Sequence, residues 1–129
     1  MTPLNDNETL LLQEILNFAG PFLEGHKEFY PFGMVMDQNY EIYSVSASIG
    51  EEYPNSQDLI TLFEDGFSKE LNNGNYLLCA ICFDIYLKET INVIEYKKDA
   101  IKVRFMTINN SNEVVLPYIY NTDGTVTFE

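Results

Sequence analysis

Residues 76–87 read Tyr-Leu-Leu-Cys-Ala-Ile-Cys-Phe-Asp-Ile-Tyr-Leu, and this stretch decides the fold. Its first eight residues are almost continuously apolar, which is typical of a central strand covered on both faces. A turn cluster of asparagine and glycine at 72–75 separates it from the preceding segment. The stretch therefore predicts a long strand near the middle of a sheet.

Further strands are predicted on both sides of this stretch. Downstream they cover 90–96, 100–108, 113–120 and 125–128, with Asp123-Gly124 as a type I′ hairpin signal before the last. Upstream, an apolar strand at 31–36 is followed by residues 40–49, in which side chains alternate with a period of two. Because the connections between these strands are short, we expect a mainly antiparallel sheet.

Two amphipathic helices complete the predicted fold. The first begins at Asn5 or Asn7 and ends near residue 19, because Gly20-Pro21 does not continue a helix. The second begins at Asn55 or Ser56 and ends near residue 72, and Gly66 inside it predicts a close packing contact. The prediction is one α+β domain over residues 1–129, with about five to seven mainly antiparallel strands and two helices packed on one face.

The charge is strongly negative and unevenly distributed. Twenty acidic and seven basic residues give a net charge of −13. Residues 1–75 hold thirteen acidic and two basic residues, a net −11, whereas residues 76–129 hold seven and five, a net −2. Phosphate backbones and anionic lipid surfaces repel such a protein, so we expect no nucleic-acid or membrane partner. The charge favours a basic protein partner instead.

The two cysteines, Cys79 and Cys82, form a C-x-x-C pattern within the central strand. Redox chemistry needs this pattern at a helix N-terminus, and a zinc site needs two further ligands. On a strand, residues three apart face opposite sides of the sheet. We therefore interpret them as two separate small apolar residues, with no metal or cofactor.

No catalytic signature stands out in the sequence. It has no phosphate-binding loop, no nucleophile elbow and no group with the spacing of metal ligands. Residues 1–6 lack the pattern of a secretory signal, and the apolar runs are too short to cross a membrane. The expectation is a cytoplasmic protein, with a non-enzymatic role favoured over a catalytic one.

The first functional hypothesis is a protein-interaction module that binds a basic partner through an acidic surface. The predicted contact residues lie on the loop before the second helix and on one face of that helix: Glu51, Glu52, Tyr53, Asp58, Glu64 and Asp65. Carboxylates there would steer a basic partner, and the tyrosine would anchor it.

Two alternatives remain open. One is a small-molecule-binding domain or small enzyme with a pocket near Phe29–Phe32, in which His26 or Asp84 is the ionisable group. The other is a structural homodimer in which a long strand or an aromatic sheet face pairs with itself. The sequence leaves the choice between monomer and homodimer open.

A resemblance supports the first hypothesis. The stretch 28–36, Glu-Phe-Tyr-Pro-Phe-Gly-Met-Val-Met, together with the apolar strand near residue 80 and Val-Leu-Pro-Tyr at 115–118, resembles a pattern in small uncharacterised bacterial α+β proteins. Some proteins of this kind are similar to the immunity proteins of toxin systems. These are packing motifs, so the resemblance implies a fold and an interaction role but assigns no functional residue.

Overall fold

The computed structural model of the chain describes residues 3–26, 29–47, 50 and 55–129. Within these residues there are two helices and six strands. In chain order they are α1 (Asp6–His26), β1 (Phe32–Asp37), β2 (Ile42–Val45), α2 (Ser56–Asn72), β3 (Tyr76–Ile91), β4 (Ile94–Met106), β5 (Ser111–Tyr120) and β6 (Val126–Phe128). None of the helices in the described part of the chain is long and apolar enough to cross a membrane.

The six described strands form one antiparallel sheet in the order β2-β1-β3-β4-β5-β6. The predicted α+β class, the antiparallel pairing and the strand number are confirmed. The two predicted strands 90–96 and 100–108 are largely one strand, β4, because pairing with β3 continues without a break through residues 97–99; the turn lies at residues 92–93, inside the first predicted strand. The predicted strand at 40–49 is also shorter, since only Ile42–Val45 pairs with β1.

The two helices lie on opposite faces of the sheet, and the predicted placement on one face is wrong. Alternate residues of β3 divide between two apolar clusters: Leu78, Ala80 and Cys82 pack with α1, whereas Cys79, Ile81 and Phe83 pack with α2. Successive side chains of a strand point to opposite faces. A strand that is apolar at every position therefore needs a cover on each side, and one helix supplies each cover.

Helix α1 starts at a capping box and continues past the proline predicted to end it. Asn5 Oδ1 accepts a hydrogen bond from the Glu8 N–H (2.8 Å), and Glu8 Oε1 accepts one from the Asn5 N–H (3.0 Å). Pro21 lies inside the helix and lacks an N–H donor. The helix nevertheless extends to residue 26, where the added turn buries Leu23 completely against the sheet. This burial offsets the lost hydrogen bond.

Helix α2 begins and ends where the sequence predicts. Asn55 Oδ1 accepts hydrogen bonds from the backbone N–H groups of Gln57 (2.8 Å) and Asp58 (3.3 Å). The close contact expected at Gly66 is absent, since no heavy atom lies within 4 Å of a Cβ built there. The close approach is at Gly33 of β1 instead, where a Cβ would lie 2.6 Å from Phe67 Cζ.

Tight turns set the register of the β3–β4 pair and of the β5–β6 pair. Asn92 and Val93 connect β3 to β4, and both have positive φ (52° and 61°), as a type I′ turn requires. The predicted type I′ turn at Asp123-Gly124 is different, because only Gly124 has positive φ (88°) there. Its N–H donates to the Asn121 carbonyl (3.0 Å), which is the pattern of a turn followed by a left-handed glycine.

Candidate functional site

The acidic residues predicted to bind a partner occupy different environments. Glu51, Glu52 and Tyr53 lie outside the described residues. Asp58 and Asp65 are exposed on α2. Glu64 is half-buried, and its Oε1 lies 2.7 Å from Arg104 Nη1 of β4. Arg104 also contacts Glu113 (2.8 Å), so the charge of Glu64 is already paired within the chain and fastens α2 to the sheet.

The two cysteines face opposite sides of the sheet, as predicted. Cys79 belongs to the cluster under α2 and Cys82 to the cluster under α1. Burial raises the pKa of the Cys79 thiol to about 12, and burial also raises the pKa of Cys82. Both thiols are protonated at neutral pH, so neither is a ready nucleophile. Among the described residues, no group of three or more His, Cys, Asp or Glu side chains is placed to hold a metal ion.

Of the two ionisable groups of the pocket hypothesis, only Asp84 has a described side chain, and it does not line the groove described below. Asp84 is half-buried, and its Oδ1 accepts a hydrogen bond from the buried Tyr118 hydroxyl (3.0 Å). Burial and the neighbouring Asp84 carboxylate raise the pKa of Tyr118. His26 is the last residue of α1, and its side chain lies outside the described residues. The Asp84 carboxylate is therefore satisfied by a structural hydrogen bond.

In the aromatic segment Phe29–Phe32, the two phenylalanines pack against the core, whereas Tyr30 is exposed. The Phe32 ring is buried, and its centroid lies 5.4 Å from that of Phe29 and 4.8 Å from that of Phe18. These tilted contacts fill the space between α1 and β1. Phe18 is only half-buried, and its other side borders the groove described next.

An open groove of about 290 Å³ runs between α1 and the edge strand β2. Six residues line it: Glu14, Asn17, Phe18, Met34, Ile42 and Ser44. Its position follows from helical periodicity. The residues of α1 that face the sheet are Leu11, Ile15, Ala19 and Leu23, so those at 14, 17 and 18 form one shoulder beside them. On β2, the side chains of Ile42 and Ser44 lie on the face covered by α1. Their cross-strand partners on β1 are Met36 and Met34, which lie on the same face.

The groove has an apolar floor and a polar rim. Met34 is buried and Ile42 is half-buried, and together with Phe18 they provide the apolar surface. Glu14, Asn17 and Ser44 are exposed and supply a carboxylate, an amide and a hydroxyl. A concave apolar surface with a few polar groups is the usual composition of a binding site. The volume lies at the lower limit for a ligand pocket, and it suits one or two side chains better than a whole cofactor.

The surroundings of the groove are acidic. Residues 3–26 and 29–47 contain six acidic side chains and no lysine or arginine. Two of them flank the turn that leads into β2, where the Tyr43 hydroxyl lies within hydrogen-bond distance of Asp37 (3.0 Å) and Glu41. Desolvation opposes ionisation of Asp37, but hydrogen bonds from the Glu41 N–H and from Tyr43 outweigh it and lower its pKa. Tyr43 points to the opposite face of β2 from Ile42 and Ser44, so these two carboxylates lie at the start of β2 on the face away from the groove. On the groove side the carboxylate is that of Glu14.

Strand β2 presents an open edge beside this groove. Among the described strands it pairs only with β1. The Asp37 N–H donates to the Glu41 carbonyl (2.9 Å), so the odd-numbered residues of β2 direct their backbone groups toward β1. The backbone N–H and C=O groups of Ile42 and Ser44 consequently point outward, where they can pair with another strand.

Sequence reasoning missed this site because its two walls are distant in the chain. The only local signals are the alternation of Ile42 and Ser44 along β2 and the spacing of Glu14, Asn17 and Phe18 along α1. Neither signal reveals that the two elements are neighbours.

Comparison with protein-family models, with curated proteins and with solved structures finds no match to this chain.

Proposed function

We propose that this protein is an interaction module that binds an extended, basic segment of a partner protein along β2, in the groove beside α1. The observation that carries the proposal is the combination of an open strand edge with an apolar groove and a surplus of carboxylates. This combination is the requirement for recognition by strand addition, in which backbone hydrogen bonds supply affinity and side-chain pockets supply specificity.

The geometry of β2 supports an extended occupant. The outward backbone groups of Ile42 and Ser44 offer hydrogen bonds that only a strand can complete. Side chains of an added strand would alternate between the two faces of the sheet. Those on the α1 face would meet the apolar surface of Phe18, Met34 and Ile42.

The charge of the groove supports a basic occupant. Glu14 stands on the rim, and Asp37 and Glu41 flank the turn at the start of β2. Basic side chains of an added strand would meet Glu14 on the groove face and Asp37 and Glu41 on the other face, whereas an acidic segment would be repelled. An immunity-type protein that neutralises a basic toxin, which the sequence resemblance suggests, is one biological form of this role.

Binding of a defined probe tests the proposal. The probe is a fluorescein-labelled peptide of about seven alternating valine and lysine residues, enough to span β2. We expect fluorescence anisotropy to detect binding that weakens as the salt concentration rises, because exposed ion pairs are screened. A matched peptide of alternating valine and glutamate is expected not to bind.

Two pairs of variants locate the site. Glu14→Lys is expected to weaken binding about tenfold or more, whereas Asp58→Lys, the same charge change on exposed α2, leaves it nearly unchanged. Ser44→Pro removes an outward N–H without removing a bond to β1 and is expected to weaken binding, whereas Ser44→Thr keeps that N–H and retains binding. Loss of binding in Asp58→Lys but not in Glu14→Lys would contradict the proposal and favour the α2 surface instead.

A further inference from the structure

The outer half of the β3–β4 hairpin projects beyond the rest of the sheet. Pairing with β1 ends at Cys82 of β3, and pairing with β5 ends at Ala100 of β4. Residues 84–99, which we call the arm, therefore form strand pairs only with each other among the described residues, while Asp84 and Lys98 at its base contact Tyr118 and Glu129 through their side chains. Strand β5 ends this pairing at Pro117, whose carbonyl accepts a hydrogen bond from the Glu129 N–H on the other side (2.8 Å), and then pairs with β6.

The arm exposes large apolar side chains on one face. Ile91 and Ile94 are directly opposite each other and are 54% and 55% exposed. Tyr96 follows on the same face and is 48% exposed. Apolar residues grouped on a protruding element, away from the core, indicate an interaction surface.

We propose that the arm binds a second copy of this chain, with β4 pairing antiparallel to β4 of the partner copy about a twofold axis at Tyr96. The register follows from the backbone. The Thr107 N–H donates to the Asn110 carbonyl (2.8 Å), so the odd-numbered residues of β4 direct their backbone groups toward the β5 side. In the arm, these groups belong to Glu95, Lys97 and Asp99, and they point away from β3.

A twofold axis at Tyr96 uses these groups in full. Antiparallel pairing about this residue places Glu95 opposite Lys97 of the second copy, and Lys97 opposite its Glu95. Both are hydrogen-bonded pairs of the ladder, since the outward backbone groups of the two residues face each other. The Tyr96 side chains of the two copies then meet on the apolar face, next to Ile94 and Ile91.

Charge selects this register over its neighbours. An axis at Glu95 or at Lys97 would bring two identical charges directly opposite each other, which destabilises a strand pair. An axis at Lys98 would do the same. The Tyr96 register instead creates two opposite-charge pairs, and Glu95 and Lys97 are both exposed and accessible to them. Lysine on an edge strand normally discourages pairing with other strands, so this pattern restricts pairing to a complementary partner.

Contact through the arm also reduces the electrostatic repulsion between two copies of this acidic protein. The arm contains three lysines and four acidic residues, a net charge of −1, whereas the whole chain carries a net charge of −13. Two copies approaching arm to arm therefore avoid the repulsion between their acidic surfaces. The groove at β2 lies across the sheet from the β4 edge, so self-association leaves it open.

Sedimentation equilibrium of the full chain tests the proposal. We expect a monomer–dimer equilibrium with Kd of about 1–100 µM, because the paired edge is short and the interface is small. Glu95→Lys and Lys97→Glu should each weaken the dimer about tenfold or more, and the double variant should restore it because the exchanged charges again face each other. The control Glu89→Lys changes a charge on β3 of the same arm and should leave the dimer intact.

Cross-linking tests the register independently. Tyr96→Cys is expected to form a disulfide-linked dimer on oxidation, since the two Cα atoms would lie about 4.5 Å apart at the axis. Ile94→Cys is the control, because its two copies would be separated by about four residues along the strand. A chain that remains monomeric at about 1 mM, a dimer unaffected by Glu95→Lys, or equal cross-linking at both positions would overturn the proposal.

Discussion

The inner and outer halves of the β3–β4 hairpin consist of the same two paired strands in different surroundings. In the inner half, residues 76–83 and 100–106 pair with strands on both outer sides, and α1 and α2 cover the two faces. In the outer half, no third strand pairs with the arm among the described residues, and beyond Ile85, which packs at the margin of the α2 cluster, its large apolar side chains are exposed. The inner half of the ladder thus stabilises the fold, whereas the outer half leaves large apolar side chains exposed, where we propose that a second copy binds.

The largest expected difference between the halves is the cost of deleting an isoleucine. Ile81→Ala removes a fully buried side chain from the inner half and should lower the free energy of unfolding by about 2–5 kcal/mol. Ile94→Ala, the same change in the arm, should cost less than about 1 kcal/mol at concentrations where the chain is monomeric. Urea denaturation measures both values, and comparable losses would contradict the division of the hairpin.

The close approach of α2 to the inner half gives the second prediction. Gly33→Ala should lower the free energy of unfolding by about 1–3 kcal/mol, because the new methyl group would collide with Phe67 and Phe63. Gly66→Ala is the matched control, and it should raise stability by about 0.5–1 kcal/mol because it improves a helix interior with no neighbour in the way. Thermal unfolding compares the two variants, and a neutral Gly33→Ala would mean that α2 packs further from β1.

The hydrogen bond at the boundary between the halves gives the third prediction. Tyr118→Phe removes the donor to Asp84 and should cost about 1–2 kcal/mol at neutral pH. The pKa of Tyr118 is raised in the folded state, so its contribution is present below the unfolded value of about 10 and is lost as the pH rises above it. The stability of Tyr118→Phe should therefore fall less steeply between about pH 9 and 11 than that of the unaltered chain. Identical alkaline slopes in urea titrations would refute this role.

The smallest expected effect concerns an ion pair of the arm. Lys88 and Glu95 are 3.6 Å apart and both highly exposed, so Lys88→Ala should change stability by less than about 0.5 kcal/mol. Arg104→Ala, in the inner half, should cost more, because the arginine joins Glu64 of α2 to Glu113 of β5 and stacks over Phe83. An equal effect of the two changes on the urea midpoint would remove this distinction.

Much of the fold could be predicted from local sequence signals. The apolar run at 76–83 predicts the central strand, and Asn55 predicts the start of α2. Both signals are local, because each element is determined there by residues adjacent in the chain. The placement of the helices was missed, although the same run contained the information: side chains that are apolar on both faces need a cover on both sides. The extension of α1 beyond Pro21 was missed because the burial of Leu23 is a tertiary effect that local propensity does not include.

The candidate sites could be predicted only in part. The lysines and isoleucines of the arm can be read from the sequence. The residues at which pairing with β1 and β5 ends cannot, so the exposure of the arm could not be inferred. Likewise, Glu14 and Ser44 carry no motif, and only the packing of α1 beside β2 joins them. The interaction hypothesis for Glu51, Glu52, Tyr53, Asp58 and Asp65 stays a prediction, whereas Glu64 has a structural partner in Arg104.

The central claim is that a basic, extended segment binds in the groove beside β2, and an NMR titration tests it most directly. The ¹⁵N-labelled chain is titrated with the valine–lysine peptide while the backbone amide shifts are followed. We predict that the largest shift changes occur along β2, at Glu14, Asn17 and Phe18 of α1, and at Met34 of β1. Shift changes concentrated at Asp58 and Asp65 of α2, or in the arm, with none along β2, would contradict the claim.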